Sequence, residues 1–416
     1  VPAGPDARTA ALGILGLVRD GQTFEEALAA ADPLDATDRR LAYEIAAGVL
    51  RSRSELDARL APLVSGSWQH TPEHLKDALR VGAYQLLKLS RVPSYAAVQT
   101  TVEAAKGAGG RKGAGLANAV LRRLARERDV VPSPADTDLA TRYSHPRWLV
   151  ERWTSRFGGD ATEALLRHNN RRPDLVIQPA ARTAAELREA LEAAGVSYHE
   201  APWGAGLVVE ASPVTDLPGF DEGAFLVQDP AQARLLEFAA IPDGATVWDA
   251  CAAPGGKAAA LGQRCRVVAS ELKRQRLGRL RDTVTRVPGG VCLLVADASR
   301  PPLRPGGVQV VLVDAPCTAT GAMGRHPDAR WRLSPAAISR SAARQTAILE
   351  GVAPVVGAGA LLLYMTCSLE PEENENQVTR FLERHPEFHR EGDDLFIFPP
   401  EGGTDGGYAA RLRRSA

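Results

Sequence analysis

Beyond residue 226 the chain carries five short apolar runs, TVWDAC, RVVASEL, VCLLVADA, VQVVLVDAP and ALLLYMTC, each nearly unbroken in hydrophobic and often β-branched residues. A strand with one wet face alternates apolar and polar residues, so a run without alternation predicts a strand buried on both faces. Helical segments separate the runs, among them KRQRLGRLRDTVTR and PAAISRSAARQTAILEGVAPVV. This alternation predicts a doubly wound α/β sheet whose ligands gather at the C-terminal ends of its strands.

Polar residues stand where the runs stop. The first closes at Asp249, the second at Glu271, the third at Asp297 and the fourth at Asp314. One such acid is an ordinary helix cap or surface charge; four around one crevice predict a ligand site. Glu271 lies 22 residues after Asp249, where an acid can hold ribose hydroxyls. The first run leads into DACAAPGGKAA, in which Gly255 and Gly256 permit a tight turn and Lys257 opens a helix. This loop matches neither GxxxxGK[ST] nor GxGxxG. Acids without a phosphate cradle favour a cationic, adenosine-bearing ligand over ATP or NAD. S-adenosylmethionine, with its sulfonium and ammonium, is that ligand.

The five cysteines, 251, 265, 292, 317 and 367, all lie in the C-terminal half. There is no CxxC pair, no His/Cys cluster with zinc-ligand spacing and no opening signal sequence, so a reduced, cytoplasmic protein without a metal is expected. No run reaches the ~18 apolar residues of a membrane span. Cys265 and Cys292 read as packing. Cys317, in VLVDAPCTATG, and Cys367, in LLLYMTCSLEPEEN, each follow a buried run, and on position alone either could attack a substrate.

Residues 1–130 read as an all-helical bundle. In TPEHLKDALRVGAYQLLKL, Thr71 is placed to cap, Pro72 suits the first helical position, and Leu75, Leu79, Gly82, Leu86 and Leu89 share one face. Residues 131–225 read as a linker, VVPSPADTD at 130–138, followed by a small α/β connector, and 226–416 as the sheet domain. Fifty basic residues balance 50 acidic ones, but Lys and Arg cluster in 101–128 and in 261–290. Such clusters are equally phosphate-binding patches or solvated helix faces.

DACAAPGGK, VVLVDAPCTATG and TCSLEPEENE, in this order, resemble the RNA cytosine-5 methyltransferases of the Sun/Fmu (RsmB) family. QDPAQ at 228–232 resembles the opening of that family's catalytic domain, and DRRLAYEIAAGVLRSRSELD and GLANAVLRRL resemble its NusB-like RNA-binding domain. The resemblance implies a Rossmann-like methyltransferase domain with a mixed seven-stranded sheet, preceded by the helical bundle and connector. It implies a monomeric enzyme acting on cytosine in small-subunit ribosomal RNA. By resemblance, Cys367 is the nucleophile, Cys317 releases the product and Asp314 contacts the base. Cys251, Ala252, Ala253, Pro254, Gly255, Gly256, Lys257, Glu271, Asp297 and Asp314 then form the S-adenosylmethionine site. The alternatives are the same chemistry on tRNA or another rRNA site, or a non-catalytic RNA-binding assembly factor. The chain departs from the family in carrying Gly407 where an aromatic is usual, a change expected to loosen a wall, and Glu271 where Asp is common.

Overall fold

Each of the five apolar runs is a strand in the computed structural model, which describes residues 6–127, 137–210 and 213–416. Most of the linker expected at 130–138 lies outside the described residues; within it, Asp138 accepts a hydrogen bond from the Thr141 N–H and caps the helix Leu139–Arg142. The chain divides into two units. One comprises residues up to Arg171 together with Met323–Arg332, the other Arg172–Ala322 and Leu333–Ala416.

The first unit is helical. Its helices include Ala7–Arg19, Ala36–Leu60, Glu73–Lys88, Ser94–Arg126, Arg147–Phe157 and Gly159–Asn169. Ile14, Ile45, Leu56, Leu79 and Leu121 fill its core at zero or 1% exposure. Thr71 does not cap the helix Glu73–Lys88: its hydroxyl donates to the Ser67 carbonyl, and Pro72 occupies the cap position. The distant segment Met323–Arg332 completes the unit. Arg330, fully buried, donates to the carbonyls of Ser144 and Asn169 and to Asn170 Oδ1, and Trp331 Nε1 donates to the Leu50 carbonyl.

The second unit begins with a small antiparallel sheet of β1 (Val176–Pro179), β2 (Tyr198–Glu200), β3 (Leu207–Val209) and β4 (Phe225–Val227) in the order β2-β3-β1-β4. The helix Ala184–Ala193 packs on it, started by a capping box between Thr183 and Glu186. The main sheet follows, with β5 (Thr246–Asp249), β6 (Arg266–Glu271), β7 (Val291–Val295), β8 (Val308–Asp314), β9 (Val356–Thr366), β10 (Phe388–Arg390), β11 (Leu395–Ile397) and β12 (Gly407–Arg414). Seven strands run in the order β10-β12-β9-β8-β5-β6-β7, and β11 adds an eighth by pairing with β12. Strands β5 to β9 pair in parallel, whereas β12 pairs antiparallel with β9, β10 and β11.

The missing alternation in the apolar runs is explained by two cores. Val247, Leu312 and Leu363 face one, while their chain neighbours Trp248, Val311 and Leu362 face the other. Cys265 is buried, as expected, but Cys292 is exposed, because β7 is the sheet's edge strand. Gly407 does not loosen its surroundings: Leu235 already occupies the space, and a Cβ at 407 would meet its Cδ1 at 3.1 Å. Among the described residues, no helix is long and apolar enough to cross a membrane.

Candidate active site

Strand order reverses between β5 and β8, since β6 and β7 extend the sheet one way and β9 the other. Loops leaving the C-terminal ends of β5 and β8 therefore part from each other and open a crevice. Asp249, Glu271 and Asp314 are the last residues of β5, β6 and β8, and Asp297 lies two residues past β7.

The loop after β5 is tightly built. The Ala253–Pro254 peptide is cis, and Gly255 sits at φ +112°, where a Cβ would meet Leu280 Cδ1 at 2.9 Å. Only glycine tolerates both that dihedral and that contact. Lys257, in the first turn of the helix Gly256–Gly262, is buried; its Nζ donates to Asp314 Oδ2 at 2.7 Å and to Gln232 Oε1. Burial alone would lower the Lys257 ammonium, but Asp314, Cys367 and Asp249 carry it above the usual lysine range.

Asp249 is the acid under most strain. It is fully buried, its Oδ1 accepts only a long bond from the Cys251 N–H (3.4 Å), and its Oδ2 has no hydrogen-bond partner. Burial and the neighbouring Asp314 push its carboxyl up to about 7, against the pull of Lys257. The same burial, together with Asp249, pushes the Cys251 thiol up, so this cysteine is a neutral wall of the loop. Glu271 accepts from the Lys273 N–H at 2.8 Å and lies 3.4 Å from Arg276 Nη1, while Arg276 Nη2 donates to the Ala253 carbonyl. Asp297 accepts from the Ser299 hydroxyl and amide, which hold its carboxyl below the usual range.

β8 and β9 are parallel neighbours in which Asp314 pairs with Met365. Their continuations therefore leave the same sheet end side by side, and Cys317 and Cys367, 50 residues apart in sequence, lie with sulfurs 3.3 Å apart. The Gly321 N–H donates to the Cys367 carbonyl at 2.9 Å and ties the two loops together. The hydrogen bond to Cys367 and burial raise the Cys317 thiol well above the ordinary range.

The β5 loop, Lys257, Asp314 and both cysteines are thus one cluster. Asp249, the first of the strand-end acids, belongs with it, and so does Arg276, which the motifs do not single out. A buried, unpartnered acceptor on Asp249, further carboxylates at neighbouring strand ends and a glycine-lined loop suit a cationic ligand carrying hydroxyls; no feature asks for a phosphate. Together the sheet and this donor set define an S-adenosylmethionine-dependent methyltransferase.

Residues 238–413 match the family model of the 16S rRNA methyltransferase RsmB/F, 5–126 that of the NusB family, and 145–215 that of the ferredoxin-like domain of RsmF/B-like methyltransferases. A ribosomal RNA small subunit methyltransferase B from Vibrio cholerae serotype O1 is 34% identical, with 98% of each chain covered. A probable enzyme of the same name from Synechocystis sp. is 32% identical over 92% of this chain and 93% of its own. The crystal structure of PH0851 superposes over 100% of both chains with a TM-score of 0.82 and 26% identity. The chain belongs to the RsmB/F family of 16S rRNA methyltransferases.

Proposed function

We propose that this enzyme methylates C5 of a cytosine in small-subunit ribosomal RNA through a covalent adduct between Cys367 and cytosine C6. The observation that carries the reading is the pair of thiols 3.3 Å apart at the ends of adjacent parallel strands, beside a buried lysine. Cytosine C5 is too weak a nucleophile to accept a methyl group unaided. When the Cys367 thiolate adds to C6, the C5–C6 double bond opens and C5 becomes enamine-like. When bound, S-adenosylmethionine supplies the electrophilic sulfonium methyl. Once C5 has taken the methyl, a general base removes the C5 proton, the C–H pair re-forms the C5–C6 double bond, and the S–C6 pair returns to Cys367, which restores the ring and frees the thiolate. Cys317, held as a thiol, assists release.

Lys257 places a positive charge beside Cys367, the sulfur proposed to attack. Asp314 is half-open to the crevice and bound to that lysine, a position from which it can meet the extruded base. Asp249, the loop Cys251–Lys257, Glu271, Asp297 and Asp314 would hold the cofactor, with Glu271 on the ribose hydroxyls. The helical residues up to about 130 act as the RNA-binding module, and residues from 226 carry out catalysis. The names of the curated relatives support a small-subunit rRNA substrate and, with it, a cytoplasmic site of action.

Cys367→Ala should abolish methyl transfer while S-adenosylmethionine still binds, and Cys317→Ala should accumulate a denaturation-resistant protein–RNA adduct. Activity surviving in Cys367→Ala refutes the mechanism. Bisulfite mapping of RNA from cells with and without the protein identifies the target; a difference confined to tRNA refutes the substrate.

A further inference from the structure

Glu373, in the stretch after Cys367, is fully buried, and no lysine or arginine among the described residues pairs with it. Four groups donate to its carboxylate. They are the Thr318 N–H at 2.9 Å, the Thr318 hydroxyl, the Ser368 hydroxyl at 2.5 Å and Gln345 Nε2 at 3.2 Å. Thr318 follows Cys317 and Ser368 follows Cys367, so one carboxylate fastens the residue after each cysteine. The clamp is itself fixed. Tyr364 Oη donates to the Glu373 carbonyl at 2.6 Å, and Gln345 Nε2 also donates to the carbonyl of Pro316, the residue before Cys317.

The charge matters as much as the tether. A buried anion held by neutral donors keeps much of its field, because no solvent screens it. Its field disfavours a second anion on Cys317, whereas the charge that Cys367 meets is the Lys257 cation. Other titratable groups packed around the pair are the Tyr364 phenol, which burial keeps neutral, the buried Glu370, whose N–H donates to the Ser368 hydroxyl, and Asp314, which is paired with Lys257. The hydrogen bond to Cys367 and burial already favour the proton on Cys317, and the Glu373 charge adds to them.

We propose that Glu373 is a positioning residue for the cysteine pair: it clamps both cysteine loops and, as an anion, holds the shared proton on Cys317 so that Cys367 carries the thiolate. The proposal rests on Cys367 being the attacking sulfur. The proton stays on Cys317 while a Cys367 lone pair forms the S–C6 bond, and S–C6 cleavage returns that pair to Cys367.

The test uses full-length protein without RNA or cofactor. Limiting iodoacetamide at pH 7.5, followed by peptide mass mapping, should label Cys367 at least ~tenfold faster than Cys317. In Glu373→Gln, which keeps the shape and removes the charge, the ratio should fall to ~threefold or less, with S-adenosylmethionine affinity unchanged and kcat lowered more than the RNA KM is raised. An unchanged ratio in cofactor-binding Glu373→Gln overturns the proposal. If that variant does not fold, the unmutated chain decides: faster labelling of Cys367 supports the proposal, and labelling of Cys317 at an equal or greater rate overturns it. Because labelling needs no turnover, its outcome is separate from the adduct tests on Cys367→Ala, which judge the mechanism.

Discussion

Asp249→Asn should make the unliganded catalytic sheet more stable at neutral pH while weakening cofactor binding. Below pH 3.8, Asp249 is protonated in both folded and unfolded chains and has no effect on folding. Between there and about 7 the unfolded chain releases the proton and the folded chain keeps it, so stability falls as pH rises. Above about 7 the loss is complete. At ~1.4 kcal/mol per pH unit, the climb from 3.8 to about 7 amounts to ~4 kcal/mol. Asparagine does not titrate, but its amide N–H2 would take the place of the unpartnered Oδ2 at a pH-independent cost of ~1–3 kcal/mol. The stability of the variant minus that of the parent should therefore rise by ~2–3 kcal/mol between pH 5 and pH 8, and then level off. Hydrogen exchange of peptides covering β5 and β6 reads this locally, without requiring the two units to unfold together. A difference that stays flat with pH would refute the claim that Asp249 is held against its preferred charge state. Calorimetry on the same pair should show weaker S-adenosylmethionine binding, a stability–function trade at one carboxyl.

Three further outcomes follow from the same geometry. Glu271→Ala should raise the cofactor Kd by ~10- to 150-fold, the equivalent of one charge-assisted hydrogen bond at ~1.5–3 kcal/mol, with folding intact by circular dichroism. Lys257→Met should destabilise the sheet domain by ~1.5–3 kcal/mol, because the partly exposed Asp314 loses its charge-assisted hydrogen bond; urea unfolding measures the loss, and slower alkylation of Cys367 at pH 7.5 should accompany it. Gly255→Ala should weaken cofactor binding and cost ~1–3 kcal/mol of stability, since the new Cβ meets Leu280 at 2.9 Å in a left-handed conformation; an unchanged melting temperature would refute the strain.

The parallel strands were legible because burial on both faces leaves an unbroken apolar run, and their acidic ends were legible because the runs stop abruptly. Strand β12 was less so: GYAARLRR mixes arginines with apolar residues, and its strand character comes from pairing along β9. The basic cluster at 261–290 illustrates a second limit. Arg286 donates to the carbonyls of Phe220 and Phe225 and stacks on the Phe220 ring, Arg264 donates to the Ile241 carbonyl, and Arg276 donates to the Ala253 carbonyl in the loop after β5. Those arginines are structural ties, but a backbone carbonyl acceptor leaves no mark in sequence. Nothing in VCLLVADA says that its strand lies at an edge, so the run alone suggests packing for Cys292 where the fold exposes it. Glu373 carries no mark among the acids of EPEENE, because only the fold shows that Glu370 and Glu373 are dry and that Glu373 bonds to the residues after both cysteines.

The segment Met323–Arg332 bears on how such an enzyme can be taken apart. Sequence families divide the chain into successive blocks, yet the backbone leaves the sheet unit after Ala322, lends Arg330 and Trp331 to the helical unit, and returns at Leu333. A fragment cut at Arg171 would therefore strand a guanidinium whose acceptors, on Ser144, Asn169 and Asn170, had been left on the other piece. The two units can be inherited as separate modules only if this stretch is exchanged with the helices, so its ten residues are where a domain swap between relatives would succeed or fail.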